Sequence, residues 1–162
     1  MGCISSHCYN SHHDLIKYGS DAQYIDKISY KIKAYVVSVY DGDTFTSAIQ
    51  TYVPNNGKFN RKVVRVKCRL LGIDTPEMKP PKNQDNRDQE IAKAREAKKY
   101  VESCILNKLI TLDVSGTDKY GRYLVSVSIP NTKQDLTDSL ISNGHGYRYD
   151  GGTKQKFTNV SV

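Results

Sequence analysis

Between residues 69 and 77 the chain reads Arg-Leu-Leu-Gly-Ile-Asp-Thr-Pro-Glu, an apolar run that starts with a guanidinium and ends in two carboxylates, Asp74 and Glu77. Pro76 lacks a backbone N–H and fixes φ, so the chain has to leave any sheet where those carboxylates arise. Two further fragments carry matching chemistry: Asp41, Gly42, Asp43 and Thr44 upstream, and residues 117–122 (Thr-Asp-Lys-Tyr-Gly-Arg) downstream. Carboxylate oxygens at strand ends and turns suit a hard cation such as Ca²⁺. Together with Arg69 and Arg122, whose planar forks match phosphate geometry, they suggest metal-assisted attack on a phosphodiester.

Asp41 and Asp43 do not open an EF-hand loop, because the sixth position is Thr46 rather than Gly and the twelfth is Tyr52 rather than Glu. An isolated Asp-Gly-Asp is ordinarily just a turn, since both residue types tolerate the required dihedrals. Its meaning comes from its partners.

In order, approximate spacing and residue identity, the three fragments resemble the staphylococcal nuclease (thermonuclease-like) family, over about residues 33–149. The resemblance implies a Ca²⁺-dependent endonuclease that hydrolyses phosphodiester bonds of DNA and RNA to 3′-phosphate products. It implies that the carboxylates of Asp43 and Asp74 and the carbonyl of Thr75 hold the Ca²⁺, with waters in the remaining positions and Asp41 in an outer shell. Glu77 is then the general base for the attacking water or the group that orients it. Arg69 and Arg122 hold the non-bridging phosphate oxygens and stabilise the charge of the transition state. Lys119 and Tyr120 resemble family contacts to a substrate phosphate, and Tyr147 or Tyr149 is placed to stack on a base. The alternative is a non-catalytic nucleic-acid-binding or scaffold module of the same fold. The presence of all five of Asp43, Arg69, Asp74, Glu77 and Arg122 favours the enzyme.

A chain of 162 residues fits one domain with one core. The net charge is +7, and residues 1–30 contribute two lysines against three aspartates, so the globular part carries +8. A basic domain suits a polyanion such as nucleic acid. Four cysteines without a CxxC pair point to a reduced compartment. No apolar run approaches the roughly 20 residues of a bilayer span, and no secretory signal is evident, so an intracellular monomer is expected.

Residues 1–30 lack helical or strand period and read as a flexible extension. Their first six residues match the N-myristoylation pattern, with Gly2 as acceptor and Ser6 at the hydroxyl position. One myristoyl chain holds only marginally, and the acidic balance of the extension excludes a polybasic second signal. Cys3 palmitoylation is then the expected complement, giving a tether at a cytoplasmic membrane face. Zinc on Cys3, Cys8, His12 and His13 would depart from finger spacings.

The elements that must position these groups are mostly strands. β-branched and aromatic residues over 31–40 predict a first strand, 44–53 a second and 62–73 a third, the last two joined by a hairpin loop at 54–57. Val64, Val66, Cys68 and Leu70 share one face, so Arg65, Lys67 and Arg69 face away; the first two read as solvent charges. Residues 78–88 form an exposed loop. An amphipathic helix capped by Asp88 then runs to Asn107, with Ile91, Ala94, Ala97, Val101, Cys104 and Ile105 on its apolar stripe. Strands at 109–114 and 123–129 follow, then a short helix capped by Asp135 and ended by Asn143 and Gly144. The pattern is mainly β with helices (α+β): a five-stranded OB-fold barrel with a helix between strands three and four. Residues 31–150 form this domain. Family members usually add a final helix; residues 151–162 read instead as a polar tail.

Overall fold

The computed structural model describes residues 29–55, 58–132 and 134–154. Gly2 and Cys3, and with them the expected lipid tether, lie outside the described residues. In chain order the elements are β1 (Tyr30–Val39), β2 (Thr44–Asn55), β3 (Lys58–Leu70), β4 (Ile73–Asp74), α1 (Arg87–Ile105), β5 (Leu109–Thr117), β6 (Tyr123–Val127), α2 (Leu136–Ser142) and β7 (Tyr147–Arg148).

Five strands close into a barrel in the order β1-β2-β3-β6-β5, as expected of an OB-type α+β fold. All neighbours are antiparallel except β3 and β6, whose parallel contact sets Cys68 beside Tyr123 and Leu70 beside Val125. Closure pairs the strand edges that an open sheet would leave exposed. Irregular registers between Val36 and Ser38 in β1, and between Val114 and Gly116 in β5, supply the bends a small barrel needs. The second of these carries β5 on to Thr117, past the expected end at 114.

Alternation decides what fills the interior. Along β5, Ile110, Leu112 and Val114 are buried while their neighbours are not, and Val36, Phe45, Cys68, Leu70, Val125 and Val127 meet them from the other strands. Val101 and Ile105 of α1 and Leu136 and Leu140 of α2 join the same cluster. Fully burying each such side chain stabilises the fold by about 1.5–3 kcal/mol.

Other boundaries also differ from the sequence expectation: β2 runs to Asn55 rather than 53, β6 ends at Val127 rather than 129, and α1 ends at Ile105 rather than Asn107. β3 begins at Lys58 rather than Lys62, because residues 58–61 pair rung by rung with β2 although no apolar alternation marks them. It stops at Leu70, since Gly72 at φ 71° turns the chain; Ile73 and Asp74 then pair separately with Arg148 and Tyr147 as β4 and β7. α1 starts at Arg87 behind Asn86, whose φ of 58° is left-handed and whose side chain makes no cap bond. Asp88 is therefore in the first turn, where its charge complements the positive end of the helix. α2 does use Asp135 as its cap, with the N–H groups of Thr137 and Asp138 donating to its carboxylate.

Candidate active site

Asp41, Gly42 and Asp43 turn the chain from β1 to β2 at one end of the barrel. A Cβ at Gly42 would lie 2.9 Å from the Cβ atoms of Thr75 and Ala97, so the missing side chain is what lets this turn press against residue 75 and α1. The N–H groups of Asp43 and Thr44 donate to Asp41 Oδ1 at 3.1 and 2.8 Å, and the Leu70 N–H donates to the Asp43 carbonyl at 2.8 Å. Asp41 therefore shapes the turn. Burial, and next the charge of Asp43, push its carboxyl up to about 7 against those two donors.

Arg69, at the end of β3, joins carboxylates from two different segments. Its Nη1 donates to Asp43 Oδ1 at 2.5 Å and its Nη2 to Asp74 Oδ1 at 3.2 Å. Burial works against the guanidinium charge, but Asp43 and then Asp74 more than offset this and raise its pKa. Asp43 and Asp74 are 3% and 1% exposed, so this ion-pair triad is largely removed from water. Asp74 has two further partners. The Tyr147 hydroxyl donates to its Oδ2 at 3.0 Å, and the Lys154 ammonium lies 2.9 Å from its Oδ1. Lys154 also reaches Glu77 Oε1 at 3.0 Å, bridging the two acids.

Glu77 itself is exposed, and its place is set from behind. The first turn of α1 supplies Glu90, whose Oε1 accepts the Glu77 N–H at 3.0 Å. Thr75, between the two acids, is 2% exposed.

Arg122 approaches from the β5–β6 turn. Asp118 organises that turn by accepting the N–H groups of Tyr120 and Arg122 at 2.8 and 3.0 Å on Oδ1, and Arg122 Nε at 2.7 Å on Oδ2. Burial opposes the Asp118 charge, but the backbone and side chain of Arg122 hold its carboxyl below the ordinary carboxylate range. Gly121, at φ 74°, provides the left-handed residue the turn requires. Tyr120 is 72% exposed, and both Lys119 Nζ and Arg122 Cζ sit near its ring, 5.1 and 5.5 Å from the centroid.

Arg69, Glu77 and Arg122 line one cleft of about 410 Å³, together with Tyr40, Thr46 and Lys67. The cleft thus gathers two guanidinium groups and one exposed carboxylate, and Arg69 in its wall is backed by the buried carboxylates of Asp43 and Asp74. Tyr149 and Tyr147 stand apart from it. Tyr147 is buried, so its ring has little face to offer a base, and Tyr149 is in edge contact with it at 6.4 Å. The hydroxyl of Tyr149 donates to the Gly152 carbonyl at 2.8 Å.

Among the described residues, no group of three or more His, Cys, Asp or Glu side chains is gathered to hold a metal ion. A cation at Asp43 and Asp74 would therefore rely on two carboxylates, backbone carbonyl oxygen and water. That donor set is all oxygen and fits Ca²⁺. The Lys154 ammonium on Asp74 and Glu77 shows that the same acids already attract a cation.

Sequence reasoning missed Lys154, Glu90 and the role of Tyr147. Gly146 was a usable signal for the last: a Cβ there would come within 2.7 Å of the Asp74 carbonyl, so the glycine marks the close approach that seats β7 against β4.

A family model for staphylococcal nuclease homologues matches residues 67–160. An uncharacterized protein of Methanocaldococcus jannaschii is 29% identical over 181 aligned residues, covering 98% of this chain and 81% of its own length. Among solved structures, the extended Tudor domain of Drosophila melanogaster Tudor-SN (p100) superposes with a TM-score of 0.53 at 12% identity, covering 78% of this chain and 88% of that one. The extended Tudor domain TD3 of mouse TDRD1, in complex with a MILI peptide containing dimethylarginine, gives 0.49 at 11%, covering 79% and 96%. At these identities the likeness concerns the fold alone.

Proposed function

We propose a nuclease function from a family premise: this chain belongs to the staphylococcal nuclease homologues. The function is Ca²⁺-dependent hydrolysis of phosphodiester bonds in DNA and RNA, leaving 3′-phosphate ends. What supports it is that Arg69, Glu77 and Arg122, distant in sequence, line one cleft. The carboxylates of Asp43 and Asp74 and the Thr75 carbonyl would hold the ion, which when bound supplies positive charge toward the phosphate oxygens.

The chain's own groups do the rest. Arg122 releases Asp118 to bind a non-bridging oxygen, and Arg69 binds another while remaining anchored to the acids behind it. Glu77 leaves Lys154 and accepts a proton from water as that water's oxygen attacks phosphorus; the P–O5′ bond breaks and the 5′-oxygen takes a proton from solvent. Both guanidinium groups strengthen their contacts as charge grows on the equatorial oxygens. Lys119 and Tyr120, exposed on the adjoining turn, contact a flanking phosphate.

Incubating plasmid DNA and a structureless RNA with the protein, with Ca²⁺ or with a chelator, tests this. Cleavage is expected only with Ca²⁺, with 3′-phosphate ends. Undiminished cleavage in chelator would sink the metal assignment, and binding without cleavage under either condition would identify a non-catalytic nucleic-acid module.

A further inference from the structure

The hairpin formed by β2 and β3, residues 44–70, contains no Asp or Glu and six Lys or Arg. Its outward face is ordered by the strand period. Arg61, Arg65, Lys67 and Arg69 stand on one side of β3, facing Tyr52, Ala48, Thr46 and Thr44 across the ladder. Arg61, Arg65 and Lys67 are exposed, and among the described residues none of the three has an ion-pair partner, in contrast to Arg69. Charges that merely solvate a surface are commonly interspersed with acids; here the row is uninterrupted in sign and ends inside the cleft, where Lys67 and Arg69 both line the wall.

We propose that this outer face of β3 is a track for a single-stranded polynucleotide, carrying one flank of the substrate away from the scissile phosphate toward the hairpin tip. The proposal rests on the nucleic-acid reading of the cleft and adds the path taken by the rest of the strand. Alternate residues of a strand recur about every 6.6 Å, a repeat comparable to successive phosphates in an extended single strand; Arg65, Lys67 and Arg69 keep it, while the exposed Val63 holds the place between Arg65 and Arg61. From Arg69 to Arg61 the row spans about 26 Å, enough for several nucleotides. Aromatic surface lies beside it. Tyr52, 65% exposed, is opposite Arg61, and Tyr35, 42% exposed, shares a rung with Ala48 and Arg65, so the small Ala48 leaves room between ring and guanidinium. Basic groups following a backbone beside rings that can stack on bases are what sequence-tolerant single-strand binding uses.

The test is metal-free binding of thymidine oligonucleotides of two lengths, about 4 and about 16 nucleotides (one shorter and one longer than the track allows), read by fluorescence anisotropy over a series of salt concentrations. Replacing Arg61, Arg65 and Lys67 together by Gln should weaken the long oligonucleotide by about 10- to 100-fold and the short one far less. The slope of log K against log salt should fall by about 2, three contacts at about 0.7 each. A control with equal charge removed from α1 (Lys93→Gln, Arg95→Gln and Lys99→Gln) should stay within about threefold of wild type, and the Arg61→Lys/Arg65→Lys variant should keep the wild-type slope. An unchanged slope in the first triple variant, or an equal loss in the control, overturns the track. Because no cleavage is measured, wild-type protein that binds along the track but never cuts with Ca²⁺ would overturn the nuclease reading alone.

Discussion

Arg69 reaches its carboxylates across the fold, whereas Arg122 finds its own four residues away. The first assembly joins β3, the β1–β2 turn and β4, and its acids are almost wholly buried. The second is a single turn, with the Arg122 and Asp118 side chains 24% and 15% exposed. A buried guanidinium held by two carboxylates from separate segments is fixed before any substrate arrives, as preorganised charge requires. A locally tethered one can swing. The cleft therefore has a rigid wall and a movable arm, and each arginine should fail differently when removed.

The largest effects should fall on chemistry and not discriminate between the two. Arg69→Lys, Arg122→Lys and Glu77→Gln should each lower kcat by about two to five decades in a Ca²⁺-supported cleavage assay, with circular dichroism unchanged. If all three folded variants cut at the wild-type rate, the activity resides elsewhere.

Stability should separate them. Arg69→Ala leaves two buried carboxylates facing each other and should cost about 3–5 kcal/mol in denaturant titrations with chelator, a loss that saturating Ca²⁺ partly reverses. Arg122→Ala should cost no more than about 1 kcal/mol, with or without the ion. Equal losses would mean that the triad is no more structural than the turn.

A smaller effect is expected at Lys154, whose ammonium competes with an added cation for Asp74 and Glu77. Lys154→Ala should tighten Ca²⁺ about two- to fivefold by calorimetry. Weaker binding in the variant would instead make Lys154 a support of the site.

The smallest concerns pH. Asp41 has a folded pKa of about 7 against an ordinary 3.8, so its contribution to stability is greatest below about 4 and is lost as pH rises through 7. Asn keeps an oxygen for the Asp43 and Thr44 N–H groups but does not titrate. Without metal, Asp41→Asn should therefore gain thermal stability relative to wild type from pH 4 to pH 7, by a few degrees, and hold that gain above. A difference that is flat across this range would place the Asp41 charge in a better-solvated setting.

The barrel is legible in the sequence because its strands alternate: Val64, Val66, Cys68 and Leu70 mark an inner face by their spacing alone. Two-residue strands have no period to read, so β4 and β7 are not legible, and Tyr147 reads as a base-stacking ring although its hydroxyl holds Asp74. At the start of α1 the side chain of Asp88 is a better acceptor than that of Asn86, yet the left-handed backbone of Asn86 sets the boundary. Arg69, Glu77 and Arg122 are legible as motif residues, but the guanidinium shared between Asp43 and Asp74 depends on turns packing around Gly42 and is not. Lys154 lies in a stretch that reads as a polar tail, since a contact between side chains 77 residues apart leaves no local trace.

The pairing of β4 with β7 also sets a timetable. Tyr147 follows Asp74 by 73 residues, so at about 5–20 residues per second a ribosome makes the carboxylate roughly 4 to 15 s before the hydroxyl that holds it. During that interval β4 has no partner strand, and Asp74 lacks both Tyr147 and Lys154. With the proposed activity toward RNA, the cleft thus stays unfinished through that interval, while the growing chain is attached beside its own message.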